Sequence, residues 1–181
     1  MTTEAFAHVF PWTEEDYLAL GQTNDRVELF DGSLVVSPAP TIRHQVLSVA
    51  LRNALHPAAV AAGLDIYLAV NLRLRPGRIP IPDLVITRPI EQDTLVVDAR
   101  VVALVCEITS PSNAGHDRIL KMHHYAVAGI PRYLLVEPKP LTLQLHRLDG
   151  DKYVEEARAV PGERLLFTAP IVTELDPASL G

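Results

Sequence analysis

The 181-residue chain has a single cysteine, Cys106, and lacks any long uncharged apolar run. One cysteine excludes a disulfide framework within the monomer and fits a reducing compartment. No apolar segment is long enough to span a bilayer, and the first residues, Met1 to Glu4, lack the positive charge and apolar run of a signal peptide. We therefore expect a cytoplasmic protein with no membrane partner.

Positive charge is also scarce, with 16 Lys and Arg residues against 22 Asp and Glu residues and a formal net charge of -6. The molecule as a whole is therefore not a basic nucleic-acid binder, and a polyanion would need a local basic surface. Clustered arginines form either such a surface or an ordinary solvated face. The candidates are Arg43, Arg52, Arg73, Arg75, Arg78 and Arg88.

The chain does carry a clear order of secondary-structure signals. A helix is predicted from Thr13 to about Leu20, and Asp31-Gly32 indicates a hairpin turn between strands over 26–30 and 33–37. The core, at about residues 41–137, has the order helix, three strands, helix, strand, and a C-terminal hairpin follows. The predicted core elements are a helix over 41–62, strands over 66–75, 83–87 and 101–108, a helix over 114–128 and a strand over 132–137.

This order predicts a single α/β (α+β) domain over residues 1–181, built on a mixed sheet. The first three core strands can form an antiparallel meander, and the fourth, reached through a helix, would run parallel to the third. Pro57 should kink or divide the first core helix, because its ring cannot sit in an interior turn without cost.

Two acids stand at corresponding points of neighbouring predicted strands. Asp83 follows Pro82 at the start of the second core strand, and Glu107 lies near the end of the third. An acid at the end of an apolar strand is costly to bury without a partner. If both side chains point to one side of adjacent strands, they form a hard-oxygen pocket suited to Mg²⁺ or Mn²⁺. Alternatively, each acid caps a strand end or pairs with an arginine.

Several short motifs occur together in one order along the chain. They are Glu28-Leu29-Phe30-Asp31-Gly32, Pro82-Asp83-Leu84-Val85, Glu107 to Ser112, Asp117 with Lys121 and Tyr125, and Gly129 to Tyr133. Their order resembles the PD-(D/E)xK nuclease superfamily and, more narrowly, the Uma-type family of restriction-endonuclease-like bacterial proteins. The resemblance spans about residues 13–167 and implies a restriction-endonuclease-like fold.

The resemblance also implies a metal site and a catalytic lysine. Asp83 and Glu107 would be catalytic metal ligands, and Glu28 matches an additional acid near the metal. The superfamily pattern requires a lysine where this chain has Thr109. Lys121, on the following helix, matches the position from which other family members supply that lysine.

Two accessory residues complete the candidate set. Asp117 lies four positions before Lys121, so the two share a helix face; the alternative is a surface ion pair. His44 matches a family histidine that could contact phosphate or orient a ligand, and the alternative is a hydrogen-bonded structural histidine. Glu28, likewise, could instead be a solvated strand residue.

The sequence therefore leads to two functional hypotheses. The first is a Mg²⁺- or Mn²⁺-dependent endonuclease that hydrolyses DNA phosphodiester bonds with Asp83, Glu107 and Lys121. The second is a catalytically inactive nucleic-acid- or protein-interaction module on the same fold, which the acidic net charge and Thr109 favour. A homodimer would be plausible if an apolar sheet edge were exposed.

Overall fold

The computed structural model describes residues 11–23, 25–109 and 116–181, without the side chains of 116–118. The helices are α1 (Glu14–Ala19), α2 (Ile42–Ala61) and α3 (His116–Val127). The strands before α3 are β1 (Arg26–Phe30), β2 (Ser33–Ser37), β3 (Asp65–Leu68), β4 (Asn71–Arg73), β5 (Arg78–Ile79), β6 (Leu84–Thr87), β7 (Val96–Asp98) and β8 (Val102–Ile108). Those after it are β9 (Arg132–Pro138), β10 (Leu141–Asp149), β11 (Lys152–Ala159), β12 (Leu165–Phe167) and β13 (Thr173–Leu175).

The main sheet of the described chain has the strand order β11-β10-β9-β8-β6-β3. Strands β3, β6 and β8 are antiparallel neighbours, whereas β9 pairs parallel to β8 after the crossover through α3. This is the mixed sheet that the sequence predicts, with the C-terminal hairpin β10–β11 extending it. The predicted fold class is therefore confirmed.

Helices α2 and α3 pack on opposite faces of this sheet. Because strand side chains alternate between the faces, each helix contacts a different set of strand residues. On one face, Leu84 and Cys106 pack in a cluster with the buried stripe of α2, formed by Leu47, Leu51, Leu55 and Ala59. On the other, Val85 and Val105 pack in a cluster with Tyr125 of α3. None of the helices in the described ranges combines the length and apolar composition needed to cross a membrane.

We expect Leu55→Ala to lower the free energy of unfolding by about 2–5 kcal/mol, the range for truncating a buried leucine. Leu55 is fully buried between α2 and the sheet, so its removal leaves a cavity. Urea unfolding followed by circular dichroism measures the change. A loss below about 1 kcal/mol would contradict this packing.

The N-terminal hairpin forms a second sheet with the order β2-β1-β5. Its strands have the predicted bounds, and the turn residue Asp31 has a positive φ of 50°. Leu29, on one face of β1, packs with Trp12 and Tyr17. Arg26 and Glu28, on the opposite face, are thereby directed toward the end of the main sheet near Asp83 and Lys121.

Three local predictions are wrong. The strand expected over 66–75 is interrupted at Ala69, where φ is 51°, and its second part leaves the main sheet to pair parallel with β7. Asp83 precedes β6 rather than opening it. The division of α2 at Pro57, one of the two predicted effects of this proline, does not occur: the helix runs continuously from Ile42 to Ala61, with buried residues on both sides of Pro57 that pack on the sheet.

Candidate active site

The candidate site lies where β6 begins and β8 ends. Leu84 of β6 pairs with Cys106 of β8, and continuing this antiparallel register by one residue places Asp83 opposite Glu107. Asp83 also accepts a hydrogen bond of 2.7 Å from the backbone N–H of Ile108. The sheet therefore brings the two acids of the predicted metal pair side by side.

Asp83 is a buried carboxylate held by several donors. Its Oδ1 accepts a 2.8 Å hydrogen bond from Arg26 Nη1 and lies 3.1 Å from His44 Nε2, while Oδ2 takes the Ile108 N–H. Burial alone would raise the pKa of Asp83, but the contacts with His44, Arg26 and Ile108 hold it below its usual value. Asp83 is therefore ionised and fixed in orientation by strand β1, helix α2 and strand β8.

Glu28 and Lys121 form a second buried ion pair. Lys121 Nζ lies 2.9 Å from Oε1 and 3.0 Å from Oε2 of Glu28, and the Ile81 N–H donates to Oε1 at 2.6 Å. Burial favours a lower pKa for Lys121, but the charges of Glu107 and Glu28 raise it above its usual value. The lysine is therefore charged and directed into the site.

Glu107 is the least compensated acid of the group. Tyr125 donates a 2.5 Å hydrogen bond to its Oε1, and Lys121 Nζ lies 4.0 Å from the same oxygen. Burial and the charges of Asp83 and Glu28 raise the pKa of Glu107 to about 7, although Lys121 and Arg26 oppose that rise. The site therefore combines three carboxyl groups, those of Glu28, Asp83 and Glu107, with the two positive charges of Arg26 and Lys121.

The structure brings together most of the candidate residues from distant parts of the chain. The cluster comprises Asp83, Glu107, Lys121, Glu28 and His44. Glu28 is fully buried, so it is not a solvated strand residue. The side chain of Asp117, the other accessory candidate, lies outside the described residues.

Sequence reasoning missed two members of the cluster. Arg26 pairs with Asp83, and its position two residues before Glu28 on the same strand face was the available signal. Tyr125 occurs in the motif with Lys121 but received no role in the predicted site, yet its hydroxyl donates a hydrogen bond to Glu107. It follows Lys121 by four residues, the spacing that places both on one side of α3.

The sequence matches a known family model over most of its length. The model of the Uma2 family, described as "Putative restriction endonuclease", matches residues 14–176. The chain belongs to the Uma2 family. No curated protein gives a significant match to this Uma2 chain.

A solved structure also resembles this Uma2 chain. It is a crystal structure from Anabaena variabilis ATCC 29413, described as a "putative nuclease belonging to DUF820". The two are 17% identical, with a TM-score of 0.69 over 94% of this chain and 97% of the other. At this identity the likeness shows a shared fold, which agrees with the restriction-endonuclease-like arrangement of the main sheet.

The donor chemistry of this Uma2 site fits a divalent cation. Asp83, Glu107 and Glu28 supply hard carboxylate oxygens, the ligands that Mg²⁺ and Mn²⁺ prefer. However, within the described ranges no three Asp, Glu, His or Cys side chains already converge as a metal-binding group. Asp83 and Glu28 instead pair with Arg26 and Lys121. Metal binding would therefore require these ion pairs to rearrange.

The arginines expected to form a basic surface are mostly engaged in other contacts. Arg73 pairs with Glu14, and Arg75 and Arg78 both pair with Asp31. The remaining three arginines donate hydrogen bonds: Arg43 to Pro138, Arg52 to Asn53 and Arg88 to Arg100. Because acids neutralise several of them, this Uma2 chain has less free positive surface than the sequence suggested.

Proposed function

We propose that the chain is an endonuclease that hydrolyses DNA phosphodiester bonds with Mg²⁺ or Mn²⁺. The observation that supports this most directly is the placement of Asp83 opposite Glu107, with Lys121 Nζ 4.0 Å from Glu107. Two adjacent carboxylates and a charged lysine supply the metal ligands and the transition-state cation that this reaction needs.

Each residue of the site has a separate role in the proposed hydrolysis. Hydrolysis joins a water oxygen to phosphorus and breaks one phosphorus–oxygen ester bond. Mg²⁺ bound by Asp83 and Glu107 would polarise the phosphate and make the water more acidic. Lys121, kept charged by Glu28 and Glu107, stabilises negative charge that develops on the phosphate oxygens. His44 and the Ile108 N–H hold Asp83 in orientation.

The family membership and the fold give independent support. The Uma2 family is described as "Putative restriction endonuclease", and the similar Anabaena structure as a "putative nuclease". Enzymes of the restriction class act on DNA, and we therefore propose DNA as the substrate. A shared fold does not by itself establish an activity, and the acids and the lysine of the site are what support hydrolysis here.

A second candidate function is an inactive interaction module on the same fold. The buried ion pairs Arg26–Asp83 and Lys121–Glu28 favour it, since they satisfy two of the acids without a metal. The net charge of -6 and the neutralised arginines also weaken the expected binding of a polyanion. Such a module would bind a partner without cleaving it.

Cleavage of DNA by the purified protein should require a divalent cation. We expect nicking of supercoiled plasmid in the presence of Mg²⁺ or Mn²⁺ and none with excess EDTA, because the site's acids repel phosphate when no metal is bound. Gel electrophoresis of time points measures the rate. Cleavage that persists in EDTA would refute the metal-dependent mechanism, and binding without cleavage under any condition would favour the interaction module.

A further inference from the structure

Arg26 lies at the centre of the acid cluster, although no sequence motif assigned it there. Its Nη1 donates to Asp83 Oδ1 at 2.8 Å. Its side chain is 22% exposed, against 4% for Asp83, so the arginine is the more accessible partner of the pair. Its Nε is buried and has no hydrogen-bond partner within the part of the chain that the structure describes. The arginine is thus held in the site by charge more than by a complete set of hydrogen bonds.

The charges around Arg26 explain why it stays there. Burial by itself lowers the pKa of Arg26, but the negative charges of Asp83, Glu107 and Glu28 outweigh burial and raise the pKa above its usual value. Lys121 neutralises mainly Glu28, which it contacts through both carboxylate oxygens. Arg26 is therefore the direct counter-ion of Asp83, one of the two proposed metal ligands.

The contacts of Asp83 Oδ1 with Arg26 and His44 leave little room for a cation on that oxygen while Arg26 stays in place. A carboxylate oxygen has two lone-pair directions. Oδ1 of Asp83 faces Arg26 and His44, and Oδ2 already accepts from the Ile108 N–H. A divalent cation on Oδ1 would also lie against the guanidinium charge, which repels it.

We infer that Arg26 is a positioning residue that occupies the cation side of Asp83 in the metal-free protein and leaves when a divalent ion binds. The inference rests on the proposed function, because it takes Asp83 as a metal ligand. Arg26 keeps a buried carboxylate ionised and correctly oriented before the metal arrives. The same contact then sets the affinity of the site for the metal.

Mn²⁺ titration by isothermal calorimetry tests this exchange without DNA or cleavage. Three proteins are compared: wild type, Arg26→Gln and Lys121→Gln. Lys121→Gln is the charge control, because it removes the same charge from the cluster while its contacts are with Glu28 and Glu107 rather than with Asp83. We expect Arg26→Gln to bind Mn²⁺ at least about tenfold more tightly than wild type, since no charge-assisted hydrogen bond must be broken. The gain in Lys121→Gln should be clearly smaller.

Three outcomes of the titration would overturn the inference. Equal Mn²⁺ affinity in wild type and Arg26→Gln would overturn the inference, as would an equal gain in both variants, which would mean that net charge alone acts. Both results leave the proposed endonuclease intact. Absence of Mn²⁺ binding in all three proteins would overturn the proposed metal site and the inference with it.

A second variant guards against misfolding of Arg26→Gln, which leaves Asp83 without its counter-ion. Arg26→Lys keeps the charge but replaces the planar fork with a flexible ammonium group that yields more readily. Its Mn²⁺ affinity should be several-fold above that of wild type. An affinity equal to that of wild type in a folded Arg26→Lys protein would also overturn the exchange.

Discussion

Asp83→Asn is expected to lower metal-dependent DNA cleavage by about a thousandfold, because the loss of several kcal/mol of transition-state stabilisation corresponds to such a factor. Asparagine has nearly the same shape but lacks the charge that would bind the metal beside Glu107. The initial rate of plasmid nicking at saturating Mn²⁺ measures the effect. A rate within about tenfold of wild type would remove Asp83 from the mechanism.

The same substitution should also destabilise the protein, so the control must separate the two effects. Asp83 is buried and accepts from Arg26 and from the Ile108 N–H, and a charged hydrogen bond contributes about 1.5–3 kcal/mol. Leu55→Ala is a suitable control because it loses comparable stability. Leu55 is eleven residues from His44 on α2, about 16 Å along the axis. We expect Leu55→Ala to cleave DNA normally at a temperature where both variants are folded.

The sequence predicted the order of the core elements well because local patterns carry that information. Asp31-Gly32 is a strong hairpin signal, and β1 and β2 have the predicted bounds around it. The apolar run that ends at Ile108 required burial on both faces, and β8 lies in the interior of the main sheet. Alternation along such strands also placed Asp83 and Glu107 on corresponding faces.

The contacts that complete the site could not be predicted in the same way. Arg26 meets Asp83 across 57 positions of sequence, and Glu28 meets Lys121 across 93. Such pairs depend on how the N-terminal sheet docks against the start of β6 and against α3, and no local pattern encodes that docking. The interruption at Ala69 was likewise hidden, because the apolar run over residues 66–70 continues through the point where the backbone turns away.

The structure also clarifies why a threonine can occupy position 109. The Thr109 N–H donates to the Val136 carbonyl oxygen at 2.8 Å, so this residue continues the pairing of β8 with β9. The positive charge near Glu107 comes instead from Lys121 on α3. Its Nζ lies within 4.0 Å of Glu107 and closer still to Glu28, so the helix supplies the cation that the strand lacks.

Lys121→Met is the second substitution with a large expected effect. It should lower the cleavage rate by about a hundredfold to a thousandfold, the range for losing one transition-state donor. It should also destabilise the protein by about 3–5 kcal/mol, because Glu28 would remain buried without its counter-ion. Plasmid nicking and urea unfolding measure the two effects separately.

The double variant Glu28→Gln/Lys121→Met distinguishes a catalytic lysine from a structural one. Glutamine keeps an oxygen that can accept the Ile81 N–H, and no buried charge is left unpaired, so most of the lost stability should return. Cleavage should not return, because the cation near Glu107 is still absent. If stability and cleavage recover together, Lys121 serves the fold through its pair with Glu28, and the proposed role in phosphate hydrolysis is wrong.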